Sequence, residues 1–297
     1  MKKALFFLMA MALLGSAELL AQEAPALPFV TIDRSAISSA MGGTQANQGL
    51  YNPAVVPFRG SDVAFSFQSW APGGAASTNL NLLAGIKAGK RIGINVMAAY
   101  QNGKEYTIYD NTGNGKNTFA PTDLLVGAGF GFAFTDFLAA GINVKYATST
   151  VAQGVSYGSV MGDVLVTFSM KGLKATAGVA NLGMPIKSGE SSFKLPTSAK
   201  VGVAYDFSFG KSGLELAADG DLFFTGGLGL GLGLQYDWNK MVFARGGFHL
   251  GTGNAPQPTY ASLGLGVKFF GFHVDATWLT ASKVLGNTLC IGLGYSF

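Results

Sequence analysis

The sequence predicts an all-β fold: a transmembrane antiparallel β-barrel of about fourteen strands, preceded by a segment that plugs its periplasmic mouth. Three observations lead there. The chain ends in the strand Thr288–Phe297, in which Leu289, Ile291, Leu293, Tyr295 and Phe297 fall on one face and Thr288, Cys290, Gly292, Gly294 and Ser296 on the other. One face suits lipid and the other a crowded interior. The composition carries 43 Gly, 23 Phe and only 12% charged residues, against about 25% charge in an ordinary soluble domain. Finally, the same two-residue alternation can be followed from Asp62 to the C-terminus, the signature of apolar surface spread over many short spans.

Taken in order, residues 1–22 read as a secretory signal peptide. Lys2 and Lys3 precede an apolar run from Ala4 to Ala17, and the small residue Ala21 follows. The run is too short for a spanning helix, which needs about 20 residues. Without Lys2, Lys3 and Glu18, two positive charges and one negative charge leave, so the formal charge falls from +4 to +3. That excess is too small to argue for nucleic acid.

Residues 23–61 are rich in small and polar types, too polar to face lipid and too long for a simple leader, and read as a plug or hatch. Residues 62–297 form the barrel, with strands expected near 62–70, 78–87, 91–102, 122–135, 137–149, 157–170, 172–183, 197–209, 213–224, 227–238, 240–251, 259–270, 271–280 and 287–297. The clearest lipid-facing rows are Val126/Ala128/Phe130/Phe132/Phe134, Leu228 to Trp238 at every second residue, Leu263/Leu265/Val267/Phe269 and Phe272/Val274/Ala276/Trp278. Their partners, among them Gly127/Gly129/Gly131 and Gly229/Gly231/Gly233, point inward.

Connections alternate between tight turns and longer loops, as they must if successive strand ends lie on opposite sides of a membrane. Tight joins fall near Lys87–Arg91, Thr135–Phe137, Met170–Gly172, Phe209–Gly213, Trp238–Lys240 and Phe270–Gly271; longer ones include 103–121, 184–196 and 252–258, with Thr225–Gly227 the exception. The tight set, the N-terminus and Phe297 are then expected on the periplasmic side of an outer membrane. Closure follows because hydrocarbon leaves no water for an unpaired strand edge.

Several motifs carry a resemblance. Ser35-Ala36-Ile37-Ser38-Ser39-Ala40-Met41-Gly42-Gly43 is followed by Tyr51-Asn52-Pro53-Ala54; Gly162-Asp163, Val179-Ala180-Asn181-Leu182-Gly183, Leu195-Pro196-Thr197, Ala217-Ala218-Asp219 and Ala244-Arg245-Gly246-Gly247-Phe248 come after, in that order. The chain resembles the PorV/PorQ family, relatives of the FadL-type fatty-acid channels, with Ala40, Gly42, Gly43, Asn52, Pro53 and Ala54 matching the run that precedes the barrel. The resemblance implies a fourteen-stranded barrel with a plug, and a partner role in type IX secretion or surface attachment. The outer loops are short for a PorV, which sets it apart from a protein that captures substrates directly. Gly292, Tyr295 and Phe297 also resemble the signal read by the outer-membrane assembly machinery, so that machinery and outer-membrane lipid are expected partners.

Parity directs Asp163, Lys200, Glu215, Asp219, Asp221, Arg245, His249, Lys268, His273 and Asp275 into the lumen, where structural ion pairing is the ordinary role of mixed charge. A His273/Asp275/His249 set with a serine is the one arrangement that could suggest catalysis, and no motif supports it. Neither metal-ligand spacing nor a cofactor signature occurs. Cys290 reads as a small lumen filler. Three functions therefore stand in order: a non-enzymatic partner of secretion or attachment, a FadL-like channel for hydrophobic solutes, and an outer-membrane enzyme.

Overall fold

The computed structural model of the chain describes residues 24–72, 74, 76–109 and 115–297; the expected signal peptide lies outside them. Fourteen strands close into one antiparallel barrel: β1 (Asp62–Trp70), β2 (Ser77–Ala88), β3 (Ile92–Gly103), β4 (Thr122–Ala133), β5 (Leu138–Ala152), β6 (Val155–Met170), β7 (Leu173–Gly183), β8 (Ser198–Phe209), β9 (Ser212–Phe223), β10 (Gly227–Trp238), β11 (Val242–Gly253), β12 (Tyr260–Phe269), β13 (Phe272–Thr280) and β14 (Thr288–Ser296). β1 and β14 pair from Asp62↔Ser296 to Ser69↔Leu289, which removes both free edges.

Alternation sets the facing. Along β10, Leu230, Leu232, Leu234, Tyr236 and Trp238 are exposed on the outer wall, while Gly229, Gly231 and Gly233 are buried inside. β14 repeats the pattern, with Leu289, Ile291, Leu293 and Tyr295 outward and Cys290 and Gly292 buried. An apolar outer wall is stable only against hydrocarbon. Exposed aromatics such as Trp238, Phe270, Phe272 and Phe297 gather at the short-turn end, the position of an interfacial girdle.

The connections depart from expectation at three places. The 103–121 and 184–196 connections are not plain loops, since each contains a small hairpin, Tyr106–Tyr109 with Gly115–Phe119 and Ile186–Ser188 with Ser191–Phe193. The third is between β5 and β6, where a longer loop is expected. Instead Thr150, Val151 and Ala152 prolong the first strand beyond the expected 149, Val155 and Ser156 start the second early, and Gln153-Gly154 turns the chain between them, with Gly154 at φ 75°. The β-branched pair Thr150-Val151, followed by a glycine in the left-handed region, favours a protruding hairpin over an open loop.

Residues 24–60 run inside the barrel. They enter at the long-connection end, where Ala26 N donates to Lys194 O at 2.8 Å, and finish at the short-turn end, where Ser61 and Phe297 exchange backbone hydrogen bonds of 3.0 and 2.9 Å. This corrects the expectation that the segment folds into the short-turn mouth with both chain ends on that side. The first described residues and Phe297 lie at opposite ends of the barrel. The physical cause is apolar: Leu27, Phe29 and Val30 pack into a core with Leu83, Met97, Leu125 and Met161 of the inner wall, well away from the turns.

Candidate functional site

The inner segment begins with Pro28–Thr31, one turn of 3₁₀ helix, and continues into α1 (Ala36–Ala40), whose Ser35 cap accepts the Ile37 N–H at 3.2 Å. Between them a polar knot fixes the path. Asp33 Oδ1 accepts from Tyr51 Oη at 2.7 Å and from Ser38 Oγ, and Tyr51 Oη in turn accepts the backbone N–H groups of Arg34 and Ser35 at 2.9 and 2.7 Å. The Arg34 guanidinium donates to the carbonyls of Phe29, Val30 and Ile32 at 2.8 to 3.2 Å. These bonds satisfy backbone that no sheet or long helix serves.

Glycines on the inner wall make room for the rest. A Cβ at Gly233 would stand 2.7 Å from both Met41 Cβ and Met41 O, and one at Gly141 would stand 2.8 Å from Ala54 N. The residues of the plug motif sit at these approaches. Ala40 faces Gly264, Gly42 and Gly43 turn the chain at φ 68° and 80° across β10 and β11, and Pro53 lies over Gly131. Asn52 Nδ2 reaches Ala46 O at 2.7 Å and Thr167 Oγ1 at 3.0 Å while its Oδ1 accepts Ala54 N–H at 2.9 Å. Of the inward glycine rows visible in the sequence, Gly131, Gly231 and Gly233 are thus seats for the inner segment's backbone, while Gly127 and Gly129 make room for side chains of the wall itself.

The lumen charges fall at two levels. Toward the short turns, Arg245 donates to Asp275 and to Gln235, both at 2.6 Å, and lies over the Phe243 ring at 5.0 Å. His273 bonds Asp275 through Nδ1 at 2.7 Å and Asp62 through Nε2 at 3.1 Å. Lys268 lines a cavity beside them, as does Glu215, 3.4 Å from Arg59. Higher in the barrel Lys145 pairs with Asp163 and Lys200 with Asp221, both at 2.7 Å. Asp219 accepts the backbone N–H groups of Gln45 and Ala46. His249 contacts Gly42 O at 3.3 Å and stacks on Tyr260, ring centroids 5.1 Å apart. The two histidines therefore occupy different levels, and both nitrogens of His273 are engaged by carboxylates, so no His/Asp/Ser set assembles. Among the described residues no cluster of His, Cys, Asp or Glu could hold a metal ion.

Sequence reasoning left out Lys145, Asp62, Arg59 and Asp123 as lumen residues. The inward parity of Lys145 and Asp123 on their strands was the available signal. Arg59 belongs to no strand and carries no such signal.

Three cavities are stacked along the axis. At the long-connection end a space of about 630 Å³ is lined by Pro25 to Phe29 and Ile32 of the inner segment, by Trp70, and by loop residues including Ile186, Phe193, Pro256 and Leu285. Below it lies a gap of about 90 Å³ of mixed lining, bounded by Lys145, Asp163, Lys200 and His249 together with Val30, Met97 and Leu125. The third, about 230 Å³, opens among Arg59, Glu215, Lys268 and His273. Residues 41–52 of the inner segment stand between the second and third, with Gln45, Tyr51 and Asn52 on one side and Met41, Gln48 and Leu50 on the other. The upper cavity can hold a small apolar molecule; its size and lining are those of a ligand pocket.

No family model matches the sequence, and no curated protein matches it. The fold is similar to that of the toluene transporter TbuX of Ralstonia pickettii, at 14% identity over 90% of this chain and 99% of that one, with a TM-score of 0.63. It is similar to the CymD monoaromatic hydrocarbon channel, at 13% identity over 90% and 98%, with a TM-score of 0.62. A FadL homologue of Pseudomonas aeruginosa aligns at 9% identity over 90% and 96%, with a TM-score of 0.52. At such identities the likeness is one of fold, a closed fourteen-strand antiparallel barrel like those of FadL-type outer-membrane proteins.

Proposed function

We propose that this protein is a FadL-like outer-membrane channel that admits hydrophobic small molecules, with the upper cavity as the place where they first bind. One observation carries this reading: the largest of the three cavities is mostly apolar and is walled in part by the inner segment itself, from Pro25 to Ile32. A solute bound there touches the same element that obstructs the lumen below. The structural neighbours described as toluene and monoaromatic hydrocarbon transporters favour the same class. Fold alone does not assign a function, so the cavity is the stronger support.

A PorV/PorQ-type partner role in secretion or surface attachment rests on the ordered sequence motifs, which the Asn52, Gly42 and Gly43 contacts explain as packing. In either reading the long-connection end faces the exterior, and a non-enzymatic role accords with histidines engaged in ion pairing and ring stacking. In a Cys290→Ser background, a cysteine at Glu190 should then label on intact cells and one at Lys211 should not.

The test is uptake of radiolabelled toluene into cells that express the full chain, compared with Ala26→Trp, which fills the cavity. Faster uptake with the natural chain and loss of the gain in the variant are expected. Uptake equal to that of cells without the protein, together with a secretion component that co-purifies from the native membrane, would replace the channel reading with the partner reading.

A further inference from the structure

Among the described residues, the upper cavity is lined by one formally charged side chain, Asp123. It sits on β4 in a row that crosses three adjacent strands, with Gln101 opposite on β3 and Ser149 opposite on β5. Ser149 hydrogen-bonds the carboxylate. Tyr157 continues the row on β6; most of the remaining lining is apolar, from Leu27 and Phe29 beneath to Trp70 and Leu285 at the side. A polar row on one side of an apolar pocket fixes the orientation and the chemistry of what enters.

The character of that row is specific. A carboxylate accepts hydrogen bonds and offers none, whereas the Gln101 amide can donate. Arg34 does not reverse the sign of the site. Its guanidinium is spent on the carbonyls of Phe29, Val30 and Ile32, and it meets Asp123 only across a gap of about 10 Å³. Its charge is close enough to offset part of the Asp123 field, so a full cation is not required as the counterpart.

Resting on the channel reading, we propose that the upper cavity selects neutral apolar molecules that carry a hydroxyl group, such as phenols and alcohols, over plain hydrocarbons and over carboxylates. The hydroxyl donates to Asp123 and accepts from Gln101, and the hydrocarbon body lies against Leu27, Phe29, Trp70 and Leu285. A plain hydrocarbon displaces solvent from the polar row and returns no hydrogen bond to it. A carboxylate brings like charge against Asp123 and is rejected.

The test uses four probes of nearly one shape: toluene, p-cresol, 4-methylbenzoate and 4-methylbenzylamine. Their dissociation constants are measured by titration calorimetry on the detergent-solubilised full chain. The expected order is p-cresol at least tenfold tighter than toluene, with 4-methylbenzoate weakest. Asp123→Ala should abolish the advantage of p-cresol and leave toluene within about twofold, in keeping with a hydrogen bond to a charged group. Asp123→Asn keeps the shape of the side chain should the alanine variant fail to assemble, and it should tighten 4-methylbenzoate at least tenfold by removing the like charge.

Toluene and p-cresol binding alike, or 4-methylbenzoate binding as well as p-cresol, overturns the selectivity and leaves the channel reading standing. Tenfold preference for 4-methylbenzylamine also overturns it, making the row a cation site. If none of the four binds the natural chain, the cavity is not a solute site and the channel reading falls with the inference.

Discussion

The Asp219 carboxylate on the inner face of β9 accepts the backbone N–H of Ala46 at 2.7 Å, and through the same oxygen that of Gln45 at 2.6 Å. A wall residue thereby holds the backbone of a segment more than 170 positions earlier in the chain, in the stretch that separates the two lower cavities. Gly202, on the neighbouring strand, leaves room for Ala46, since a Cβ there would collide with the alanine side chain.

Removing this anchor should open the lumen. Hydrogen bonds to a charged acceptor contribute about 1.5–3 kcal/mol each, and Asp219→Ala deletes both while leaving the strand ladder intact. The expected outcome is a heat-modifiable barrel with raised single-channel conductance and faster protease cleavage between residues 41 and 52. Conductance unchanged from that of the natural chain would show that residues 41–52 are not what blocks the pore.

An inward glycine and an outward one predict a second contrast. A methyl group at Gly233 meets Met41 at 2.7 Å, whereas one at Gly246 has nothing nearer than 3.9 Å. Gly233→Ala should cost about 1–3 kcal/mol in urea unfolding of the barrel in bilayers, the usual penalty for overpacking. Gly246→Ala should be close to neutral. Equal midpoints for the two would mean that the segment is not packed against β10.

Facing supplies a third. Leu232 is 56% exposed on the outer wall, while Gln235 points inward and accepts a hydrogen bond from Arg245 Nε at 2.6 Å. Leu232→Arg should lower stability by about 2–4 kcal/mol if the position lies near the bilayer midplane. Gln235→Glu, which offers Arg245 a carboxylate, should assemble as well as the natural chain. Measured yields of folded protein in lipid vesicles check both, and comparable yields for both variants would invert the facing of β10.

Much of the barrel was legible because alternation is a local property. Leu228 to Trp238 reads as a strand with an apolar outer face before any neighbour is known, and Thr288–Phe297 likewise. The tight joins at Phe209–Gly213 and Phe270–Gly271 were visible for the same reason. The tip of the β5–β6 hairpin was missed because Thr150 to Ala152 can continue a strand or leave it, and only pairing such as Thr150↔Ser156 selects the first. Small hairpins such as Ile186–Phe193 were missed because three-residue strands carry too little alternation to register.

The sequence by itself determined the fold class, the fourteen spans, the outward faces of the most regular strands, and the inward parity of charges such as Asp163, Lys200, Arg245 and Asp275. The period-two pleat writes those facts into neighbouring residues. Only the tertiary structure decided that residues 24–60 traverse the lumen from the long-connection end, that Lys145 meets Asp163 and His273 meets Asp62, and that an apolar cavity forms around Asp123. The contact of His273 with Asp62 depends on closure. Pairing β1 with β14 brings residues more than 200 positions apart within a few ångströms, and no periodicity along the chain encodes which inward side chains then face one another across the bore.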